Sequence, residues 1–547
     1  MYNITKAEKY WLVNITIIIV IITTLPYFIA FQVSKIDAKD PEGSVFSGFL
    51  FGIDDGNSYI AKMRLGYEGN WLYRSPYTDM PQNGFIAFFP YILLGKLASR
   101  PALHLQLVVL FQLFRIAAAA LSIFAMYDFI AYFIDSIYWR KIGLIFASVC
   151  GGLGWISLLN HSVTLPLEFY SPESFGFLEI YGLPHLSLGR ACLFWAILSY
   201  LGFWKTSQIK DKTILRLSFF WLTAGLAQPL LLGLIGLIIG LHWVTMRLIS
   251  YWYKERSKLL QSNLVFWKLL IAGLLPIGFL FYNLIKFSND PYLMVWNHQN
   301  QLPSGNLFQY ILSYGFLIPF AIMGAYQIWK KNKFQGALLV PWLALAPILL
   351  SLPISIQRRT IEGAWVGLII LAIEGIATHI NLSQQKYWRV LLMCGLLLGL
   401  VSSFMLLIGG IQLAIHPTQP AFYPLSKVRI MEALDDLQVN KYSVVLASFE
   451  TSNALPAFAS VKVIIGHGPE SANGEKLRYD VASFYQSQTS DEKRRQFLFA
   501  HRIMYVIWGT EERQLGSWNP HDSPYLRLVY KDGEYFIYEV DEEKLSN

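Results

Sequence analysis

Long apolar runs separated by short polar loops dominate the first 426 residues. Eleven of these runs approach the roughly 20 residues that a helix needs to cross a bilayer. They cover, in chain order, residues 11–31, 102–133, 142–160, 187–204, 214–228, 229–247, 264–285, 308–328, 335–353, 363–380 and 388–412. The pattern predicts a polytopic α-helical membrane protein with about 11 transmembrane helices.

The loops between these runs alternate in charge. Lys6 and Lys9 precede the first run, and Lys330, Lys331 and Lys333 form a basic loop further along. Basic loops of this kind stay on the cytoplasmic side of a bacterial plasma membrane. The first run lacks a small-residue cleavage site, which indicates a retained helix and not a signal peptide. We therefore predict a cytoplasmic N-terminus and, from an odd number of crossings, an extracytoplasmic C-terminal part.

From residue 427 onward the hydrophobic period shortens. Short β-branched runs ended by turn residues predict strands, with helical segments between them. The predicted strands are Ser443–Ser448, Val461–Gly466, Met504–Gly509 and a hairpin of Leu526–Tyr530 with Tyr535–Val540, and the predicted helices are Lys476–Gln486 and Asp491–Ala500. We therefore divide the chain into a transmembrane domain, 1–426, and a soluble α/β domain, 427–547, on the outer face.

Charge supports this division. The chain is 54% hydrophobic and only 15% charged. Residues 1–426 hold 30 Lys and Arg against 18 Asp and Glu, whereas residues 427–547 hold 14 against 18. The basic excess lies in short loops beside apolar runs, where membrane topology explains it without a nucleic-acid partner. The three cysteines all lie in apolar runs and lack metal-ligand spacing.

The first outer loop, residues 32–100, contains two adjacent acids, Asp54 and Asp55, immediately before a helical segment. One interpretation is that they cap the helix N-terminus. The other is that one of them acts as a general base or as a metal ligand. Both interpretations hold together, because a cap needs only one acid.

The segment behind these acids is amphipathic. Its apolar face carries Tyr59, Ile60, Met63 and Tyr67, while Lys62 and Arg64 point elsewhere. Such a helix is typical of a membrane interface, with basic groups near lipid phosphates. The loop's second apolar segment, residues 85–94, is short and contains Pro90, so we expect an interfacial helix there as well.

Other polar residues lie in the remaining outer loops. Arg358 and Arg359 lie in an outer loop, where the positive-inside rule predicts few basic residues. Because guanidinium groups bind phosphate well, this pair favours a lipid-phosphate ligand. Arg190 begins the span after the third outer loop and is a further candidate for binding the donor phosphate. The candidates for substrate binding are Lys62, Tyr59, Glu173, Glu179, His185, Gln228, Asn297 and His298. His467 and the cluster Glu511-Glu512-Arg513 are interpreted as turn and surface residues.

Several motifs are absent from the sequence. There is no Walker loop, no dinucleotide fingerprint, no HExxH and no G-x-S-x-G. The chain thus shows no obvious site for a soluble nucleotide, which fits an activated substrate delivered through the lipid.

These features together resemble the GT-C class of integral-membrane glycosyltransferases. The stretch DDGNSYIAKMRLGYEGNWLYRSPYT is similar to the first outer loop of a bacterial GT-C-like family, and PYLMVWNHQN, QRRTIEG and LASFETSNALPAFASVKVIIGH are similar to later parts of it. The resemblance implies a polyprenyl-phosphate sugar as donor and inversion at the anomeric carbon. It places the family's first-loop acid on Asp54 or Asp55, and phosphate neutralisation on Arg358 and Arg359.

Sequence reasoning thus favours an inverting glycosyltransferase that acts on a glycan, lipid or protein acceptor outside the cytoplasm. It leaves a divalent cation, Mg²⁺ or Mn²⁺, open as a cofactor. A polytopic transporter or lipid-linked glycan flippase is the alternative, although few charged groups are predicted at mid-membrane. A membrane anchor for the C-terminal domain ranks last, since one span would suffice for that role.

Overall fold

The computed structural model describes residues 4–40, 43–159, 164–205, 212–377, 385–437 and 441–546. Residue 160 and residues 378–380 of the predicted spans lie outside this set. The helices are α1 Lys6–Asp37, α2 Ile53–Tyr67, α3 Phe89–Gly95, α4 Leu103–Phe133, α5 Ile137–Val149, α6 Ile156–Leu159, α7 Leu167–Tyr170, α8 Phe177–Gly182, α9 Pro184–Gly202, α10 Lys212–Ala227, α11 Leu230–Trp252, α12 Arg256–Asn289, α13 Pro291–Gln299, α14 Leu307–Tyr314, α15 Ile318–Lys331, α16 Lys333–Ser351, α17 Ala364–Ala377, α18 Gln385–Ile415, α19 Leu425–Leu437, α20 Phe449–Phe458, α21 Gly474–Phe484, α22 Asp491–Ala500, α23 Thr510–Leu515 and α24 Glu542–Ser546. The strands are β1 Ser44–Phe46, β2 Phe422–Pro424, β3 Val444–Leu446, β4 Lys462–Val463, β5 Ile503–Trp508, β6 Leu526–Asp532 and β7 Tyr535–Val540.

Among the described residues, eight helical segments are long and apolar enough to cross a membrane, or nine if α14 and α15, bent by 79°, form one span. The eight are Lys6–Asp37, Leu103–Phe133, Pro184–Lys205, Leu230–Trp252, Arg256–Asn289, Lys333–Ser351, Gln357–Ala377 and Met393–Ile415. The protein is therefore an integral membrane protein. Helices α5, with 13 residues, and α10, with 16, fall short of a full crossing, so the predicted count of 11 is not confirmed. The orientation of the termini stays a prediction.

The chain forms two compact units. The first comprises the described residues of 1–25, 114–285 and 302–409. Its helices approach closely at glycine residues. A Cβ on Gly324 of α15, for example, would lie 1.8 Å from a carbonyl oxygen of α17. Its core is built from buried aliphatic and aromatic side chains such as Phe129, Phe194 and Trp342.

The second unit comprises the described residues of 26–113, 286–301 and 410–547. It contains a five-stranded sheet of order β4-β3-β5-β7-β6, in which β3, β4 and β5 are parallel and β7 runs antiparallel to both its neighbours. This confirms the strands predicted after residue 427, and α21 and α22 confirm the two predicted helices. Strand β1, from the first loop, pairs with β2.

Helix α2 belongs to the interior of this second unit. It packs on α3 so closely that a Cβ on Gly66 would lie 1.9 Å from the carbonyl oxygen of Ile92. It also packs against α20. The first outer loop and the α/β region thus share one compact unit, which differs from the predicted division at residue 426, because polar groups of α2 find their partners after residue 427.

Candidate active site at the start of helix α2

The two acids lie in the first turn of α2. The N-cap residue is Gly52, which adopts a left-handed conformation with φ 56° that favours glycine. No side chain caps the helix from this position, but Asp54 and Asp55 lie where the helix dipole stabilises negative charge. Both acids are exposed, and the Asp55 side chain retains 58% of its accessible surface.

Asp55 is the outer end of a chain of ionisable side chains that leads into the protein. His467 Nε2 lies 3.0 Å from Asp55 Oδ1, and His467 Nδ1 lies 3.5 Å from Glu470 Oε1. Glu470 in turn pairs with Lys62 Nζ at 2.6 Å. We call these four residues the Asp55–Lys62 relay. Asp55 is its only exposed member, so the relay fixes a surface acid to a buried ion pair.

Glu470 is the centre of the relay. Tyr73 Oη donates to its Oε2 at 2.5 Å, and Ser58 Oγ donates to its Oε1 at 3.2 Å. Burial alone would raise the pKa of Glu470, but the adjacent Lys62 ammonium and His467 hold it below its usual value. The carboxylate is therefore ionised. The Lys62 ammonium also lies 4.0 Å from the centre of the Phe88 ring, a favourable cation–π contact.

A network of amides holds the start of α2 against the loop that carries His467. Asn57 donates to Asn453 Oδ1 at 2.7 Å, and Asn453 donates to the carbonyl oxygens of Gly466, at 2.7 Å, and Asp54, at 3.2 Å. Gly466 has a φ of 151°, and a Cβ there would lie 2.8 Å from the Ser452 carbonyl oxygen. Glycine permits the close approach that brings His467 to Asp55.

Asp54 differs from Asp55 in its surroundings. Its carboxylate accepts no hydrogen bond from the part of the chain that the structure describes, and it lines two adjacent cavities. One, of about 760 Å³, also contacts α20, α21 and α23. The other, of about 460 Å³, is also lined by Asp55 and His467. Partial burial raises the pKa of Asp54 above its usual value, and the nearby His467 opposes this rise.

No protein-family model matches this chain, and no curated protein matches it in sequence. Solved structures do match it. The Archaeoglobus fulgidus oligosaccharyltransferase, tethered to an acceptor peptide containing the NVT sequon, superposes with a TM-score of 0.55 at 13% identity, over 92% of this chain and 69% of that one. The chain has a GT-C fold.

Two further matches complete this comparison. The archaeal oligosaccharyltransferase AglB from Archaeoglobus fulgidus, in complex with an inhibitory peptide and a dolichol-phosphate, gives a TM-score of 0.55 at 12% identity, over 98% of this chain and 75% of that one. ArnT from Cupriavidus metallidurans bound to undecaprenyl phosphate gives 0.49 at 12% identity, over 97% and 98%. The resemblance predicted from the sequence is confirmed at the level of the fold.

Within the first unit, Arg190 is enclosed by protein acceptors. Its Nε bonds to Glu362, its NH2 lies 2.8 Å from Glu179, and its remaining donors reach backbone carbonyls. The side chain is 1% exposed. Arg190 and Glu179 thus satisfy each other inside the protein, and their predicted contacts with donor phosphate and substrate stay predictions.

Arg358 and Arg359 share one acid in the first unit. Their Nε atoms lie 3.2 and 3.5 Å from the two carboxylate oxygens of Glu173. Glu173 is 1% exposed, whereas the two arginines retain 17% and 32% of their side-chain surface. Glu173 thus orients the arginines, and its contact with substrate stays a prediction. One acid between two guanidinium groups leaves a net positive charge.

The remaining predicted residues have varied surroundings. Tyr59 stacks on Tyr91 with ring centres 4.6 Å apart, and His185 is buried in the first turn of α9. Gln228 is buried at the break between α10 and α11, where its amide has no hydrogen-bond partner among the described residues. Asn297 and His298 are exposed on α13 of the second unit.

Two expectations about charged residues of the second unit are wrong. Lys62 and Arg64 do not face lipid phosphates, since both are buried and pair with Glu470 and, at 3.0 Å, with Asp435. His467 is not merely a turn residue, because it contacts Asp55. Glu511 and Glu512 are likewise buried and not at the surface.

Sequence reasoning missed Glu470, Asn453 and the role of His467. The signal that could have found them is the polar cluster HGPES directly after the apolar run VKVIIG, since polar groups at a strand end commonly face a site. The residues that they contact lie about 400 positions earlier in the chain, and no local pattern reveals such pairs.

The described residues contain no group of three or more His, Cys, Asp or Glu side chains arranged to hold a metal ion. Near Asp55, the Lys62 ammonium already neutralises Glu470, and His467 bonds directly to Asp55. These residues do not form a metal centre by themselves.

Proposed function

We propose that this chain is an inverting glycosyltransferase that transfers a sugar from a polyprenyl-phosphate donor to an acceptor outside the cytoplasm. The GT-C fold supports the general class, since similarly folded oligosaccharyltransferase structures hold an acceptor peptide and a dolichol-phosphate. The observation that carries the proposal is the contrast between the two acids of α2: Asp55 is fixed by the relay, whereas Asp54 is open to two cavities.

Asp54 is the general base in this proposal. A base needs a carboxylate that is open to the acceptor site, and a raised pKa favours proton uptake. Asp54 lines two cavities, accepts no hydrogen bond from the described residues and has a pKa above its usual value. It takes the proton of the acceptor hydroxyl as the acceptor oxygen bonds to the anomeric carbon. The bond from that carbon to the phosphate oxygen breaks on the opposite face, and its electron pair leaves with the lipid phosphate.

Three members of the Asp55–Lys62 relay, namely Lys62, Glu470 and His467, are positioning residues. They touch no reacting atom, but they hold Asp55 and the first turn of α2 in one geometry. Buried, mutually satisfied polar networks of this type fix a single arrangement. Their role is to keep Asp54 aimed at the acceptor.

Arg358 and Arg359 are our candidates for binding the donor phosphate. Both retain exposed surface and share the single acid Glu173, which leaves positive charge for a phosphate. The two guanidinium groups would stabilise the negative charge that develops on the departing phosphate.

The test is a sugar-transfer assay with the purified full chain in nanodiscs. Synthetic polyprenyl-phosphate sugars carrying different hexoses serve as donors, with simple glycosides and peptides as acceptors, and the anomeric configuration of the product is read by NMR. We expect transfer with inversion from at least one donor. Counterflow of an intact lipid-linked sugar in proteoliposomes, without any transfer, would instead identify a transporter or flippase.

A further inference from the structure

The larger cavity beside Asp54 has a distinctive charge. Its lining contains the carboxylates of Asp54, Glu450, Glu511 and Glu534 but only two cationic side chains, Lys427 and Arg478. The formal net charge of the lining is therefore −2. A volume of about 760 Å³ is suited to a small molecule or one to two sugar rings.

Part of this lining is already satisfied within the protein. Lys427 Nζ pairs with Glu511 Oε1 at 2.6 Å, and Thr510 Oγ1 donates to the other oxygen of Glu511 at 2.8 Å. Lys427 and Glu511 are buried. They form a rigid polar wall, and they leave the more exposed groups to meet a ligand.

Three exposed side chains of the lining keep their hydrogen-bonding capacity. The carboxylate of Glu450 and the amides of Gln419 and Gln514 make no hydrogen bond within the described part of the chain. Carboxylates accept from hydroxyl groups, and amides both donate to and accept from them. A ligand with many hydroxyl groups satisfies this set better than an apolar one does.

The aromatic side chains of the lining are engaged by neighbouring polar groups. Its most accessible aromatic residue, Phe449, is covered by the Arg478 guanidinium at 3.8 Å from the ring centre. The hydroxyl of Tyr535 is held by Thr510 at 2.7 Å. Polar groups of the lining thus already occupy its aromatic side chains, and the free carboxylate and amides are left to recognise a ligand.

We infer that this cavity binds the acceptor and that the acceptor is a neutral or amine-bearing sugar. The inference rests on the proposed glycosyltransferase function, because Asp54, the proposed base, forms part of the same lining. Glu450, Gln514 and Asp54 line the same cavity, so an acceptor hydroxyl held by the first two shares this cavity with the proposed base. The net negative lining excludes sugars that carry carboxylate or phosphate groups, since like charges repel.

Binding is tested first, without any donor, on the purified full chain. Saturation-transfer NMR compares a methyl hexoside, glucosamine, glucuronate and a tripeptide. We expect the first two to bind and glucuronate to bind at least about tenfold more weakly. Gln514→Trp, which fills the cavity, should abolish the signal, whereas Glu475→Gln, an exposed acid on α21 outside the lining, should not change it.

Transfer kinetics then separate this inference from the proposed function. With any active donor, Glu450→Gln and Gln514→Trp should raise the acceptor KM by about tenfold or more while donor hydrolysis by water keeps its rate. Transfer with an unchanged acceptor KM in both variants would overturn the inference and leave the function standing. Sugar binding that Gln514→Trp abolishes, without transfer from any donor, would overturn the function and support the sugar site. Preferred binding of glucuronate or of the tripeptide would refute the inference directly.

Discussion

Replacing Glu470 with glutamine should loosen the start of α2 and the loop that carries His467. The change leaves the Lys62 ammonium, 1% exposed, without the carboxylate that lies 2.6 Å away. Removing one partner of a buried ion pair typically costs about 3–5 kcal/mol. An exposed pair contributes about 0–1 kcal/mol, and the pair of Arg429 with Asp532, 49% and 23% exposed, supplies the matched control in the same unit.

Hydrogen–deuterium exchange of the full chain in nanodiscs measures this loss locally. For Glu470→Gln, we expect amides of α2 and of residues 464–473 to exchange about 100-fold faster or more, and for Asp532→Asn less than about fivefold. The double variant Lys62→Met, Glu470→Gln should recover most of the protection, because no unpaired charge remains. Equal effects of Glu470→Gln and Asp532→Asn would refute the claim that the relay holds the site.

The same ion pair predicts a pH dependence. The pKa of Glu470 is lower in the folded chain than its ordinary value of 4.5. A carboxylate whose pKa falls on folding stabilises the fold above its unfolded pKa, and this stabilisation is lost as pH falls through the folded value. The protection of α2 should therefore decrease only in acid below the ordinary pKa of glutamate, and Glu470→Gln should remove this dependence.

Three other predictions follow from the geometry. His467→Gln should move the acid limb of the transfer rate to higher pH, because His467 lowers the pKa of Asp54; a limb that stays in place would contradict this. Arg190→Met should abolish expression of folded protein, because it leaves two buried acids unpaired, and size-exclusion profiles check this. Arg358→Gln should instead express normally and raise the donor KM, which transfer kinetics measure. Gly66→Val should destabilise the chain in heating assays, since its Cβ would overlap a carbonyl of α3, and an unchanged profile would count against that packing.

Periodicity predicted most of the secondary structure. The strands around Val445, Val463 and Val506 and the hairpin of β6 with β7 lie where alternating runs end in turn residues. Apolar content alone does not fix helix length, however. The run near 142–160 is apolar, yet α5 ends at Val149 because the chain becomes extended at Cys150.

The site was predictable only in part. Asp54 and Asp55 are recognisable because two adjacent acids before a helical segment form a local pattern. Lys62 is part of an amphipathic pattern too, and that pattern led to the wrong environment. A basic residue on such a helix is normally solvated, and only its pairing with Glu470, 408 positions later, allows it to be buried.

The most direct test of the central claim is the transfer rate of the Asp54→Asn variant, at saturating donor and acceptor, relative to that of Asp522→Asn. Asp522 is an exposed acid of the same unit that lines neither cavity. If Asp54 is the base, its variant should lose about 10²- to 10⁴-fold in kcat at unchanged folding, while Asp522→Asn keeps the native rate. A native rate in Asp54→Asn would show that the open carboxylate of α2 does not carry the reaction.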